Sequence, residues 1–158
     1  MNVKKTLIIG AITAFIVGVL FIFVQPFFGM PPLTDRHADA YVKFGGLSPL
    51  MAIIIAWFVH LLVSTAYGIA TATALLISKK LYIFALLVLV LGWITTVIAG
   101  PANQLIVRVV TSKSFPSMSN LPALNFSFDV KLLLHLIFFI FIGLFLLAYS
   151  RISSNKVG

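Results

Sequence analysis

His60, Ser64, Tyr67 and Thr71 recur at i, i+4, i+7 and i+11 inside the otherwise apolar run from Trp57 to Leu76. That spacing puts four polar side chains on one stripe of one helix. In hydrocarbon such a stripe must face other protein or a small aqueous cavity. The imidazole is the group with metal chemistry, so a second histidine on another apolar helix decides what the stripe can do. His135 is that residue. His60 precedes Lys79 by 19 positions, about 28 Å of helix, and His135 precedes Arg151 by 16, about 24 Å. If both helices run the same way, the two rings lie at nearly one depth. A haem b iron asks for this arrangement: neutral imidazoles on separate helices with apolar packing around the porphyrin. His60 and His135 are then the axial ligands, with Ser64, Tyr67 and Trp57 immediately around them. Gly68 and Gly143 would leave room for the ring. Such a protein would pass electrons between a quinol pool and an acceptor on the outer side. The plainer reading gives both histidines structural roles near the interface, beside an anchoring tryptophan. A third gives them to a quinone, a lipid or a transported substrate.

Other chemistry is thinner. Asp35, His37 and Asp39 fall within five residues, but on a helix His37 points away from the two aspartates, so a surface segment is the default. Asn103 follows Gly100–Pro101 and reads as a turn residue or the cap of a broken helix. Asn125–Phe126–Ser127 is a formal glycosylation sequon, meaningful only in a secretory eukaryote. With no cysteine there is no thiolate nucleophile, CxxC motif, disulfide or cysteine-bound metal. Glutamate is absent, and Asp35, Asp39 and Asp129 all lie outside the apolar runs. A proton- or cation-coupled transporter usually carries an intramembrane carboxylate, which weakens that reading. No serine–histidine–acid or HExxH pattern appears.

The elements that must position these residues are four apolar stretches. The pattern predicts helices over 5–25, 49–78, 81–100 and 131–150, the first ended by Pro26 and the third by Gly100–Pro101. Composition agrees: 61% of the 158 residues are hydrophobic and 9% charged, where a soluble domain carries roughly a quarter charged. Mean hydropathy is +1.17. The basic start, MNVKK, resembles a signal peptide, but the run to Val24 is long for one and lacks a cleavage site, so an uncleaved first helix is expected. The expected fold is all-α: a single transmembrane domain, an integral membrane four-helix bundle with two longer loops on the outer side.

Lys4, Lys5, Lys79, Lys80, Arg151 and Lys156 would lie at one end, and Arg36, Lys43, Arg108, Lys113 and Lys131 at the other. Their density near helix ends favours both termini in the cytoplasm, in a plasma or inner membrane. The net charge of +8 therefore reads as topology and headgroup contact, with no nucleic-acid face. Between the helices, Thr34 is expected to cap a short surface helix over 34–44, PANQLIVRVV to form an interfacial helix or strand, and the stretch after it to be irregular. Gly10, Ala14 and Gly18, and Gly92, Thr96 and Gly100, form rows four apart that predict tight crossings within the chain or with another chain. The leading functional expectation is an accessory or structural subunit of a membrane complex, with the haem protein and a small transporter or lipid- or quinone-binding protein as alternatives.

Overall fold

The computed structural model describes residues 2–112 and 121–154; Lys113 and Lys156, counted above for topology, lie outside them. Five α-helices follow one another: α1 Val3–Val24, α2 Leu33–Gly45, α3 Pro49–Ile77, α4 Leu81–Ser112 and α5 Val130–Ser154. A 3-10 turn, Gln25–Phe28, follows α1. Four of the helices are long and apolar enough to cross a membrane. Their outward faces are large and apolar, with Phe15, Phe23, Phe58, Leu62, Leu86, Leu144 and Phe145 each about half exposed or more. Water would penalise that surface and lipid does not, so this is an integral, multi-pass membrane protein.

Glycine sets the closest crossing. α1 lies along α3, and a Cβ added at Gly10 would stand 2.6 Å from the Gly68 carbonyl oxygen. One turn on, Ala14 packs against Gly68, and a Cβ at Gly18 would stand 2.6 Å from the Ser64 hydroxyl oxygen. The first small-residue row is thus spent inside the chain. Gly92 does the same for α4, against Leu136 of α5, and Thr96 is buried, while Gly100 is exposed. An aromatic cluster joins α1, α3 and α5, with Phe21 edge-on to Phe138 at 5.4 Å and Tyr67 5.2 Å from Phe139.

Helix α4 corrects the sequence reading. It does not stop at Gly100–Pro101 but runs on through Asn103 to Ser112, so the expected interfacial segment is its continuation. Proline cannot donate to the carbonyl four residues back, which would leave the Val97 oxygen without that partner. The backbone N–H of Asn125 donates to it at 3.0 Å. The segment before α5 therefore repairs the break that Pro101 threatened. At 32 residues α4 is about 48 Å long, more than a bilayer core requires. Its surplus turns pack against α2 through Val107 and Val110, and Thr111 meets Gly45.

Helix α2 is also different from the expected surface helix. Thr34, His37, Ala38 and Tyr41 are buried, and Ala38 and Tyr41 form a small core with Ala52 and Ala56 of α3. Thr34 is not the cap, because the helix begins one residue earlier with Pro32 in that position. The orphan N–H of Leu33 is satisfied from a distance by Gln25 Oε1, at 2.7 Å. Gly46 ends the helix in the left-handed region, φ 63°, where a side chain would be strained.

Candidate functional site

Beneath α2, at the end of the bundle it covers, polar side chains from two helices converge. His60 on α3 is fixed by the α1–α3 crossing: its Nε2 lies 3.0 Å from the Gly18 carbonyl oxygen. A carbonyl only accepts, so Nε2 carries the proton and, in the neutral ring, Nδ1 keeps its lone pair. Trp57, one turn earlier, stands edge-on to the ring at 6.4 Å. Ser64 is buried against Gly18, so the expected polar stripe does face protein. Tyr67 packs in the aromatic cluster, and Thr71 donates to the Tyr67 carbonyl at 2.8 Å. Thr71 is thus satisfied within its own helix, like Thr95 and Thr96 on α4, and has no call on anything outside.

His37 and Tyr41 are in a different condition. They are four residues apart on the buried face of α2, ring centroids 5.9 Å apart, and only 6% and 0% exposed. Neither ring nitrogen of His37 and not the hydroxyl of Tyr41 has a hydrogen-bond partner among the described residues. A buried polar atom without a partner costs about 1–3 kcal/mol. Burial first, then the charges of Arg36 and His60, push the His37 imidazole down to about pKa 4, so at neutral pH it is uncharged. Burial also pushes the Tyr41 phenol up, which keeps its proton in place. His60 is the smallest of the three influences on His37. The junction therefore offers a neutral imidazole with one donor and one acceptor, a phenol, and the free nitrogen of His60.

His135 is held within its own helix. Its Nδ1 donates to the Lys131 carbonyl at 2.8 Å on its own helix, leaving Nε2 as the lone-pair nitrogen. Gly68, expected to leave room for a ring, is filled by Gly10 and Ala14 of α1, and Gly143 faces Phe84 and Val88. No cluster of three histidine, cysteine or acidic side chains suited to a metal occurs among the described residues. Asp35 accepts from the Thr34 hydroxyl at 3.4 Å in the first turn of α2. Asn125 forms a turn to Ser127 N–H, and the Nδ2 that a glycan would occupy donates to Asp129 at 3.4 Å.

Sequence reasoning missed Tyr41 and Gln25, and placed His37 on a surface segment where the structure buries it. A signal was present: Thr34, His37, Ala38 and Tyr41 repeat at i, i+3, i+4 and i+7, which marks a buried face on α2. Fold and site together define a small polytopic membrane protein whose one covered end holds an unsatisfied polar junction. No protein-family model, curated protein or solved structure matches the chain.

Proposed function

We propose that the protein is a non-catalytic, ligand-binding component of the membrane. Its ligand is an amphiphile with an uncharged hydrogen-bonding head, of which a quinone is the type. The observation behind this is the buried set of His37 nitrogens and Tyr41 hydroxyl, which have no hydrogen-bond partner among the described residues. A quinone carbonyl accepts from the His37 N–H and the Tyr41 O–H, and an uncharged head avoids the cost of taking a charge out of water at a buried site. The tail leaves along the lipid-facing side, past residues such as Phe58 and Leu62. Helix α2 hangs between Gly29 and Gly46, both in the left-handed region, and those joints let it lift to admit the head. In this proposal both termini are cytoplasmic, in a plasma or inner membrane, and α2 lies outside, where it serves a partner complex as an accessory subunit. Surface thiol labelling of Asp35→Cys but not Lys79→Cys in intact cells is the expected sidedness, and the reverse pattern inverts it.

The chain has two tryptophans, so Trp93→Phe leaves Trp57 beside His60 as the only indole reporter. Titration of that variant in nanodiscs with a short-chain benzoquinone should quench Trp57 saturably. His37→Leu and Tyr41→Phe should each weaken the binding about tenfold, the loss of one hydrogen bond to a buried group. Linear, unsaturable quenching that is the same in all three proteins contradicts the proposal.

The second reading, haem b between His60 and His135, is supported by one observation. His135 ties Nδ1 to a backbone carbonyl and leaves Nε2 free, the way a metal-bound histidine is usually held. His60 would have to ligate through Nδ1, because Nε2 is engaged by Gly18. An absorption spectrum of protein purified from haem-replete cells decides it. A low-spin spectrum lost in both His60→Ala and His135→Ala supports haem, and a colourless, folded protein removes it.

A further inference from the structure

At the end opposite α2, a groove of about 240 Å³ runs between α4 and α5, lined only by apolar side chains. Phe84, Val88 and Gly143 form its buried floor, and Leu81, Ala85 and Leu144 its exposed rims. Gly143 keeps the floor low, since a Cβ there would meet Val88 at 3.3 Å and Phe84 at 3.5 Å. The groove faces lipid, so an acyl chain is its natural filling.

What stands at its mouth selects among lipids. Leu81 directly follows Lys79 and Lys80, both exposed, and the Lys80 carbonyl accepts from the N–H of Phe84 on the groove floor. Arg151 lies one helical turn beyond Leu147, which lines the same groove from α5. Lys5 is at this end too, with its ammonium 5.8 Å above the Tyr149 ring of α5. The three acids of the chain are Asp35 and Asp39 on α2 and Asp129 at the start of α5, all at the other end. No aspartate or glutamate among the described residues neutralises Lys79 and Lys80.

We propose that this groove is a binding site for one anionic phospholipid. An acyl chain lies over Phe84, Val88 and Gly143, and the phosphate sits between the ammonium groups of Lys79 and Lys80. Basic pockets between helices at a membrane surface recognise anionic headgroups in this way. The site is independent of the ligand proposed under α2.

Native mass spectrometry of the detergent-solubilised protein, titrated with phosphatidylglycerol or with phosphatidylcholine of the same chains, tests it. The wild type should retain one phosphatidylglycerol in preference to phosphatidylcholine, by about fivefold for each lysine that meets the phosphate. Lys79→Gln/Lys80→Gln, exposed and harmless to folding, should bring the two lipids level. Ala85→Phe fills the groove from its exposed rim and should reduce retention of both. Equal retention by the wild type, or a preference that survives the double substitution, overturns the proposal. So does displacement of the lipid by glycerol 3-phosphate at the same concentration, which would mark a site for a free anion.

Discussion

At the end that carries α2, Arg36, Lys43, Arg108 and Lys131 share the surface with all three acids, and two polar side chains, His37 and Tyr41, are buried on the face of α2 that packs on α3. At the opposite end Lys4, Lys5, Lys79 and Lys80 have no aspartate or glutamate near them among the described residues, and no described helix covers the apolar groove there. Cations alone separate these ends poorly, five against four among the described residues. The acids and the covering helix separate them well. A covered end can bury polar groups and hold them neutral, whereas an open end keeps charge outside, where lipid headgroups meet it. The consequence is that pH should act on the first end and headgroup charge on the second.

Glycines at the two ends sharpen this contrast most strongly. Gly18→Leu would drive a side chain into Ser64 and toward His60 Nε2, 3.7 Å from the first added carbon. It should destabilise the bundle by about 3 kcal/mol, at the upper end for overpacking, and collapse the α2 junction with it. Thermal unfolding in detergent checks this, and a loss no greater than that of Gly143→Ala breaks the comparison.

Acid comes next. With α2 docked, His37 holds its proton only below about pH 4; with α2 free, it titrates near its ordinary value of 6.5. The free form therefore binds the proton first as pH falls, and docking weakens between pH 6.5 and 4, with no further loss from this group below that. The full shift amounts to about 2–3 kcal/mol after partial solvent screening. Hydrogen exchange of 33–45 should accelerate from pH 7 to pH 5, after correction for intrinsic rates, while that of 81–92 stays constant. His37→Leu should abolish the difference.

Smaller effects follow. Asp129 accepts from the N–H groups of Lys131 and Leu132 at 2.9 and 3.2 Å, so Asp129→Ala should cost about 1 kcal/mol and fray the start of α5. The backbone bond from Asn125 to Val97 should survive that change, because it needs no side chain. Gly143→Ala should shift stability by less than ~0.5 kcal/mol, since its new carbon would sit 3.3 Å from a valine methyl that can yield a few tenths of an ångström. Melting curves of both variants are the check.

The four spans were legible because a 20-residue apolar run has few other uses, and Ser48–Pro49 opens α3 as a cap and first-turn proline should. The end of α4 was not. Gly100–Pro101 breaks most helices, and its rescue by the Asn125 N–H depends on a segment 24 residues away. The stripe from His60 to Thr71 was read correctly as facing protein, because helical spacing alone fixes that. The inward turn of His37 was hidden by its neighbours: Asp35, Arg36 and Asp39 make the segment look like surface, and only its docking on α3 and α4 shows which face is buried.

The claim on which most rests is that His37 is buried and neutral under α2. Carbon-13 labelling of the histidine rings, with His60 and His135 assigned by substitution, allows the three to be titrated separately by nuclear magnetic resonance in nanodiscs. His37 should keep the chemical shift of a neutral imidazole from pH 8 down to pH 5 and change only near about 4. A His37 that titrates near its ordinary 6.5 would mean that α2 is not docked as described, and the covered polar junction would go with it.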